Sequence, residues 1–147
     1  MIEVLKNPSP AAINRLGDIW LAGNLSAHPF ISADYWHDNL IAVKTAFSTA
    51  TIIVAKDSIS GDIQGFLGLM DDDIAGIFVD AQNRDQGLGQ SLLHYAQTIR
   101  THLTLSVYVD NVRAFALYER MGFKLVHEGV DAATGAAEYT MEWQAVA

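Results

Sequence analysis

The chain contains no cysteine, which excludes disulfides, thiolate metal sites and any covalent acyl-cysteine route. Group transfer, if it occurs, is therefore direct. Basic residues are scarce as well, nine Lys and Arg against seventeen acidic residues, for a net charge of -8. Such a balance repels a phosphate backbone and mildly favours cationic partners, so no nucleic-acid partner is expected. No stretch approaches the roughly 20 apolar residues of a membrane span. The first residues, Met1-Ile2-Glu3-Val4-Leu5-Lys6, lack the basic start and apolar run of a secretory signal. A soluble cytoplasmic protein without a membrane partner is expected. There is no internal repeat, linker or low-complexity tract, and no two histidines stand in a metal-ligand arrangement with a third ligand, so no metal is expected.

What remains is 147 residues, half of them hydrophobic, enough to bury one core. One domain spanning 1–147 follows. Ile2 to Leu5 reads as a short strand, and Ser9-Pro10 as the N-cap and first position of a helix whose apolar residues Ile13, Leu16, Ile19 and Trp20 recur at helical spacing. Gly23-Asn24 marks its expected end near Ala22. Pro29 makes the Leu25–Ile31 segment irregular. A second helix starts near Ser32, with Trp36, Leu40, Val43 and Phe47 on one face. Trp20 and Trp36 are read as core.

From Thr51 the period changes. Thr51–Lys56 and Gln64–Met70 read as an antiparallel strand pair, and Ile74–Val79, nearly all apolar, as a central strand buried on both faces. Beyond it come a helix through Leu88, Leu92, Ala96 and Ile99, a strand over Leu103–Val109, a helix from Asn111 to Met121 stopped by Gly122, and two closing strands around an Asp131–Gly135 loop. The order predicts an α/β protein: a mixed sheet of six or seven strands with about four helices on its two faces.

Two segments carry chemistry. In Val79-Asp80-Ala81-Gln82-Asn83-Arg84-Asp85-Gln86-Gly87-Leu88-Gly89-Gln90 a strand runs through a glycine-bearing turn into a helix. Free N–H groups, the positive end of the helix dipole and the bare backbone at Gly87 and Gly89 suit a pyrophosphate. The turn is neither a P-loop nor a three-glycine dinucleotide fingerprint. The second segment, Asn111-Val112-Arg113-Ala114-Phe115-Ala116-Leu117-Tyr118-Glu119-Arg120-Met121-Gly122-Phe123, follows a strand directly. Asn111 and Tyr118 lie seven apart, about two turns along one helical face, so an amide and a phenol look into one cleft. Taken alone, each also has a structural use, Asn111 as an N-cap and Tyr118 as a core aromatic.

Together, Arg84-x-x-Gly87-x-Gly89 on a strand-to-helix turn and Asn111 through Tyr118 to Gly122-Phe123 resemble the GNAT superfamily of N-acetyltransferases. Element order agrees from Ile2 to Trp143. The Ala27-His28-Pro29-Phe30-Ile31 segment with Tyr35-Trp36 resembles its bacterial YiaC and YjaB branch. The resemblance implies a mostly antiparallel sheet whose two central strands splay apart, and direct acetyl transfer from acetyl-coenzyme A to a primary amine: a protein lysine, an N-terminus or a small molecule. It also implies that Phe78 and Val79 pair through main-chain groups with the pantetheine arm. The Arg84, Asp85, Gln86, Gly87, Leu88, Gly89 and Gln90 turn would hold the pyrophosphate, Asn111 would contact the coenzyme near its thiol, and Tyr118 would touch the coenzyme and act as general acid. His28, Phe30 and Tyr35 become substrate-side candidates, because the first two helices border the acceptor cleft in this family. The assembly implied is a monomer or a homodimer.

The chain departs from the family pattern in two places: Ala81, where proline is common, and Asp85-Gln86, where glycine followed by a basic residue is common. Asp85 either faces the pyrophosphate and weakens coenzyme binding, or faces away as a helix cap. The base that must neutralise an attacking ammonium is open among His28, Tyr35, His37, the Asp71–Asp73 cluster and Glu138. A coenzyme A-binding or sensory module of the same fold, without turnover, is the alternative function.

Overall fold

The computed structural model describes residues 1–146. Helix α1 (Pro10–Ala27) starts where proline and an N-cap predict, with Ser9 Oγ accepting from Ala12 N–H at 3.1 Å. It does not stop at Gly23. Asn24 is buried in the helix with its Nδ2 donating to the Trp20 carbonyl, and the end comes at His28, the residue before Pro29. Gly23 serves packing instead: a Cβ there would lie 3.0 Å from the Phe78 ring. Helix α2 (Ala33–Ala46) is capped by Ser32 and buries Trp36 against Trp20, their rings edge-on at 5.8 Å.

Strands β1 (Ile2–Leu5), β2 (Thr51–Lys56), β3 (Ile63–Met70), β4 (Asp73–Val79), β5 (His102–Tyr108), β6 (Lys124–Val130) and β7 (Ala137–Gln144) form one sheet in the order β1-β2-β3-β4-β5-β7-β6. Every neighbouring pair is antiparallel except β4 with β5. Alternation along the strands sends Ile52, Val54 and Phe66 to the face covered by α1 and α2. Ile53, Leu67, Leu69, Leu103 and Leu105 go to the other face, beneath α3 (Leu88–Ile99) and α4 (Val112–Arg120). No described helix is long and apolar enough to cross a membrane.

The break in this pattern makes the site. Parallel pairing of β4 with β5 consists of Asp73 opposite Thr104 and Ile74 opposite Leu105; past Ile74, among the described residues, the two strands are no longer paired. The register of β4 against β3 shifts at the same place, where Ala75 is an extra residue between Ile74 and Gly76. A bulge bends and twists its own strand, here turning β4 away from β5. The expectation that Ile74–Val79 is buried on both faces therefore fails beyond Ile74: Ile77, Phe78 and Val79 are only half-buried. Their apolar side chains and free strand edge border a cleft.

Candidate active site

The cleft between the diverging strands has a volume of about 870 Å³. One wall is the Gly76–Val79 edge of β4 and the end of α1, the other is the end of β5 and the start of α4, and the N-terminus of α3 lies at its mouth. Arg15 of α1 anchors the end of β4, donating to the Ile63 carbonyl and pairing with the Asp80 carboxylate at 3.0 Å. A short 3-10 turn, Ala81–Asn83, then leads into the anion-binding segment.

Asp85 at φ +62° and Gly87 at φ +76° shape that segment, and Gly87 stands at the N-cap of α3 without any side-chain cap. Its positive φ is what selects glycine, since a Cβ there would meet nothing within 4 Å; Gly89, by contrast, has Leu117 3.6 Å away. The uncapped N–H groups at the start of α3 are thus open to an anion. Asp85 neither caps α3 nor stands unpaired. Its carboxylate accepts from the Arg113 guanidinium in the first turn of α4, so the two charges offset one another across the cleft mouth. Both side chains are more than three-quarters exposed, and the pair contributes little to stability. Arg84 turns inward along the rim, its Nη1 donating to Ser26 Oγ at 3.3 Å, while Gln86 and Gln90 are exposed.

Asn111 caps α4, its Oδ1 accepting from Ala114 N–H at 3.3 Å, and Tyr118 follows two turns on; both line the cleft. The end of α4 explains how Tyr118 is held. Gly122 at φ +92° lets its own N–H reach the Glu119 carbonyl and the Phe123 N–H reach the Tyr118 carbonyl, at 3.1 and 3.0 Å. That is a Schellman ending, and its hydrophobic contact is between the rings of Phe123 and Tyr118, 6.0 Å apart. Burial pushes the Tyr118 phenol up to about 12, so it carries its proton throughout the physiological range. Gly122→Ala, which forces a Cβ into positive φ and to 3.3 Å from Trp143, is expected to cost about 1–2 kcal/mol. Denaturant unfolding measures that loss, and turnover should fall further than stability accounts for, because Tyr118 shifts with the helix end.

Three side chains singled out in the sequence come together beside the cleft; of them His28 lines it, and Phe30 and Tyr35 do not. His28 is buried, with Trp36 stacked on it at 5.5 Å and Phe30 and Tyr108 edge-on at 5.6 and 4.9 Å; Tyr35 packs on Trp36 at 4.8 Å. The His28 ring bridges the walls, Nδ1 to Asn24 Oδ1 at 3.1 Å and Nε2 to Asn111 Nδ2 at 3.2 Å. Burial lowers its pKa. Glu138 stands opposite Tyr108 in the β5–β7 register and also lines the cleft, and burial followed by the Asp131 charge raises its pKa.

The other two base candidates lie elsewhere. His37 is exposed and lines no part of this cleft. Asp71 and Asp72 form the turn before β4 and Asp73 is its first residue, about 20 Å from Val79 by strand rise; Asp72 pairs with Arg100 and Asp73 accepts from Thr104. Sequence reading passed over Asn24, Tyr108 with its 2.6 Å hydrogen bond to Asp131, and Arg113. Asn24 four residues before His28 on a helix was the one local sign available; the other two pairings join distant parts of the chain.

Residues 48–125 match the family described as the acetyltransferase (GNAT) domain. The chain belongs to the GNAT family. It is 31% identical over 146 residues, 98% of this chain and 96% of the relative, to peptidyl-lysine N-acetyltransferase YiaC of Escherichia coli. The solution structure of apo YjaB from Escherichia coli shares the fold with a TM-score of 0.83 at 23% identity, over 99% of both chains. An aminoglycoside 6'-N-acetyltransferase complexed with coenzyme A shares it with a TM-score of 0.72 at 14% identity, over 100% of this chain and 98% of that one. As a GNAT protein the chain is an acetyl-coenzyme A-dependent N-acetyltransferase whose acceptor is an amine. The cleft fits that coenzyme: a free strand edge, an uncapped helix N-terminus and a protonated phenol follow one another from the chain's own residues.

Proposed function

We propose that this GNAT enzyme acetylates the side-chain amine of lysine in polypeptides, with Tyr118 as general acid and the coenzyme laid along β4. The observation that carries the reading is the parting of β4 from β5, with Tyr118 and the α3 N-terminus lining the opening it leaves. Main-chain groups of Phe78 and Val79 pair with the pantetheine arm as an added strand would. The turn from Arg84 to Gln90 receives the pyrophosphate on N–H groups of α3, and Asn111 meets the thiol end. The bound thioester supplies the activated acetyl group, and Tyr118 delivers its proton to the departing thiolate.

The name of the YiaC relative supports lysine as acceptor, as does the chain's own charge of -8. Tyr108 and Glu138 line the cleft, Phe30 packs on the Tyr108 ring, and the Asp131 carboxylate accepts from the Tyr108 hydroxyl. Such a surround favours a long aliphatic stem ending in a cation.

Release of free coenzyme A, measured against lysine peptides, free amino acids and polyamines, tests the reading. Lysine peptides are expected to give the fastest release, and Tyr118→Phe to lower kcat/KM at least about tenfold, a loss of ~1.4 kcal/mol of transition-state stabilisation. Coenzyme binding by calorimetry without any acceptor-dependent release would instead favour a binding module.

A further inference from the structure

Asn24 and His28, one turn apart at the end of α1, are the polar side chains buried among the described residues. Main-chain groups fix their hydrogen bonds from both ends. The Trp20 carbonyl can only accept, so the Asn24 amide presents Nδ2 to it at 3.0 Å and leaves Oδ1 facing His28 Nδ1 at 3.1 Å. An amide oxygen cannot donate, and the imidazole proton therefore sits on Nδ1. At the other end the Ala114 N–H can only donate, so Asn111 turns Oδ1 to it and Nδ2 to His28 Nε2, at 3.3 and 3.2 Å. An amide nitrogen does not accept, so Nε2 holds a lone pair. The two ends agree on one species: a neutral imidazole, protonated on Nδ1, with its lone pair on the cleft side beside Asn111.

We propose that His28 Nε2 is the base that takes the proton from the acceptor ammonium. The proposal rests on the acyl-transfer reading above, which leaves that step without a residue. The ammonium displaces Asn111 Nδ2 from Nε2, freeing that amide to turn to the coenzyme, and gives its proton to the ring. The nitrogen lone pair so released forms the C–N bond to the thioester carbonyl carbon, and the C–S bond breaks. Tyr118 donates the thiolate its proton and takes one from the new amide nitrogen, while the imidazolium of His28 passes its proton to water. Ammonium and thioester thus become amide, thiol and one released proton. Rings of Trp36, Phe30 and Tyr108 around His28 exclude water there, which disfavours an ammonium and eases its deprotonation.

The other titratable groups facing this cleft are less suited. Tyr108 donates to Asp131, and burial raises it, holding it protonated; Tyr35, raised likewise, does not line the cleft. Asp110 and Glu138 also line the cleft; Glu138, on β7, is two strands from β4 and so farther from an acetyl group held on the β4 edge. It is the competitor that the experiment must separate.

The test is the pH dependence of kcat/KM for wild type, His28→Gln and Glu138→Gln, with the 15N shifts of His28 followed in the wild-type protein. Wild type is expected to rise with pH to a plateau through a group below 6.5, since burial lowers His28 and the base must be neutral. His28→Gln should be about 100-fold slower at pH 7 with the KM for acetyl-coenzyme A unchanged. Its rate should then climb about tenfold per pH unit toward the lysine pKa of ~10.4, as only free amine can react. Glu138→Gln should keep the wild-type limb, and the 15N shifts should show Nδ1–H and titrate with it. A limb that survives in His28→Gln, a limb that disappears in Glu138→Gln, or an Nε2–H imidazole overturns the proposal; the last reading stands even where His28→Gln does not fold. Wild type without acceptor-dependent release would overturn the acyl-transfer reading itself, and this step with it.

Discussion

Phe66→Ala is expected to lower stability by about 3–5 kcal/mol, the cost of removing a buried phenyl ring and leaving a cavity. Phe66 is 2% exposed on β3, held between the Phe47 ring at 5.5 Å and the Phe78 ring at 5.3 Å. Neither neighbour can collapse into the gap freely. Phe47 is tied to the end of α2, and Phe78 lies between Gly23 of α1 and Gly76 of its own strand, where an added Cβ would stand 3.0 and 2.4 Å from its ring. A domain of this size loses about 2–4 °C of Tm per kcal/mol, so a drop of about 6 °C is the smallest consistent outcome. Phe78 belongs to the cleft as well as to the core. Loss of its support should therefore weaken coenzyme binding together with stability, and calorimetry on the folded mutant at low temperature separates the two.

Local interactions were legible in the sequence. Ser9 and Ser32 cap their helices, Asn111 caps α4 and Gly122 ends it, because each acts through residues at most a few positions away. The mostly antiparallel sheet and the divergence of β4 from β5 came from the resemblance, as did the residues expected to hold the coenzyme, whereas the order of the strands in the sheet was not read from the sequence. What was misread depends on distant partners. Gly23 carries a stop-like residue type, yet the helix runs on to Ala27, and the glycine there leaves room for the Phe78 ring, 55 positions away. Asp85 resembles a cap or an intruder at the pyrophosphate, and its actual partner is Arg113. The Asp71–Asp73 run resembles a cluster of bases, but the bulge at Ala75 and the length of β4 separate it from the cleft. The tautomer of His28, from which the proposed base follows, needed both main-chain ends of a hydrogen-bond chain that crosses from α1 to α4.

Gly65→Ala is expected to cost about 3 kcal/mol, at the upper end for overpacking, and to weaken coenzyme A binding at least about tenfold. A Cβ at Gly65 would lie 2.8 Å from the Phe78 carbonyl oxygen and 3.3 Å from Val79 Cα. The atoms struck are main chain, so no rotamer change relieves the contact. Alanine recovers roughly 0.5–1 kcal/mol of backbone entropy in a strand, less than the clash removes. Relief has one direction: β3 is held on its far side by β2, whereas this part of β4 has lost β5, so the end of β4 moves toward the cleft. The shift falls on Phe78 and Val79, the two residues proposed to pair with pantetheine, and narrows the gap that would hold it. Gly68→Ala in the same strand is the control, since its Cβ would meet only Ile52 Cδ1 at an ordinary 3.8 Å. Thermal unfolding and calorimetric titration of both variants read stability and coenzyme affinity side by side. Unchanged affinity in a folded but destabilised Gly65→Ala would mean that the coenzyme does not lie along the β4 edge, because no other cleft contact would leave that displacement without effect.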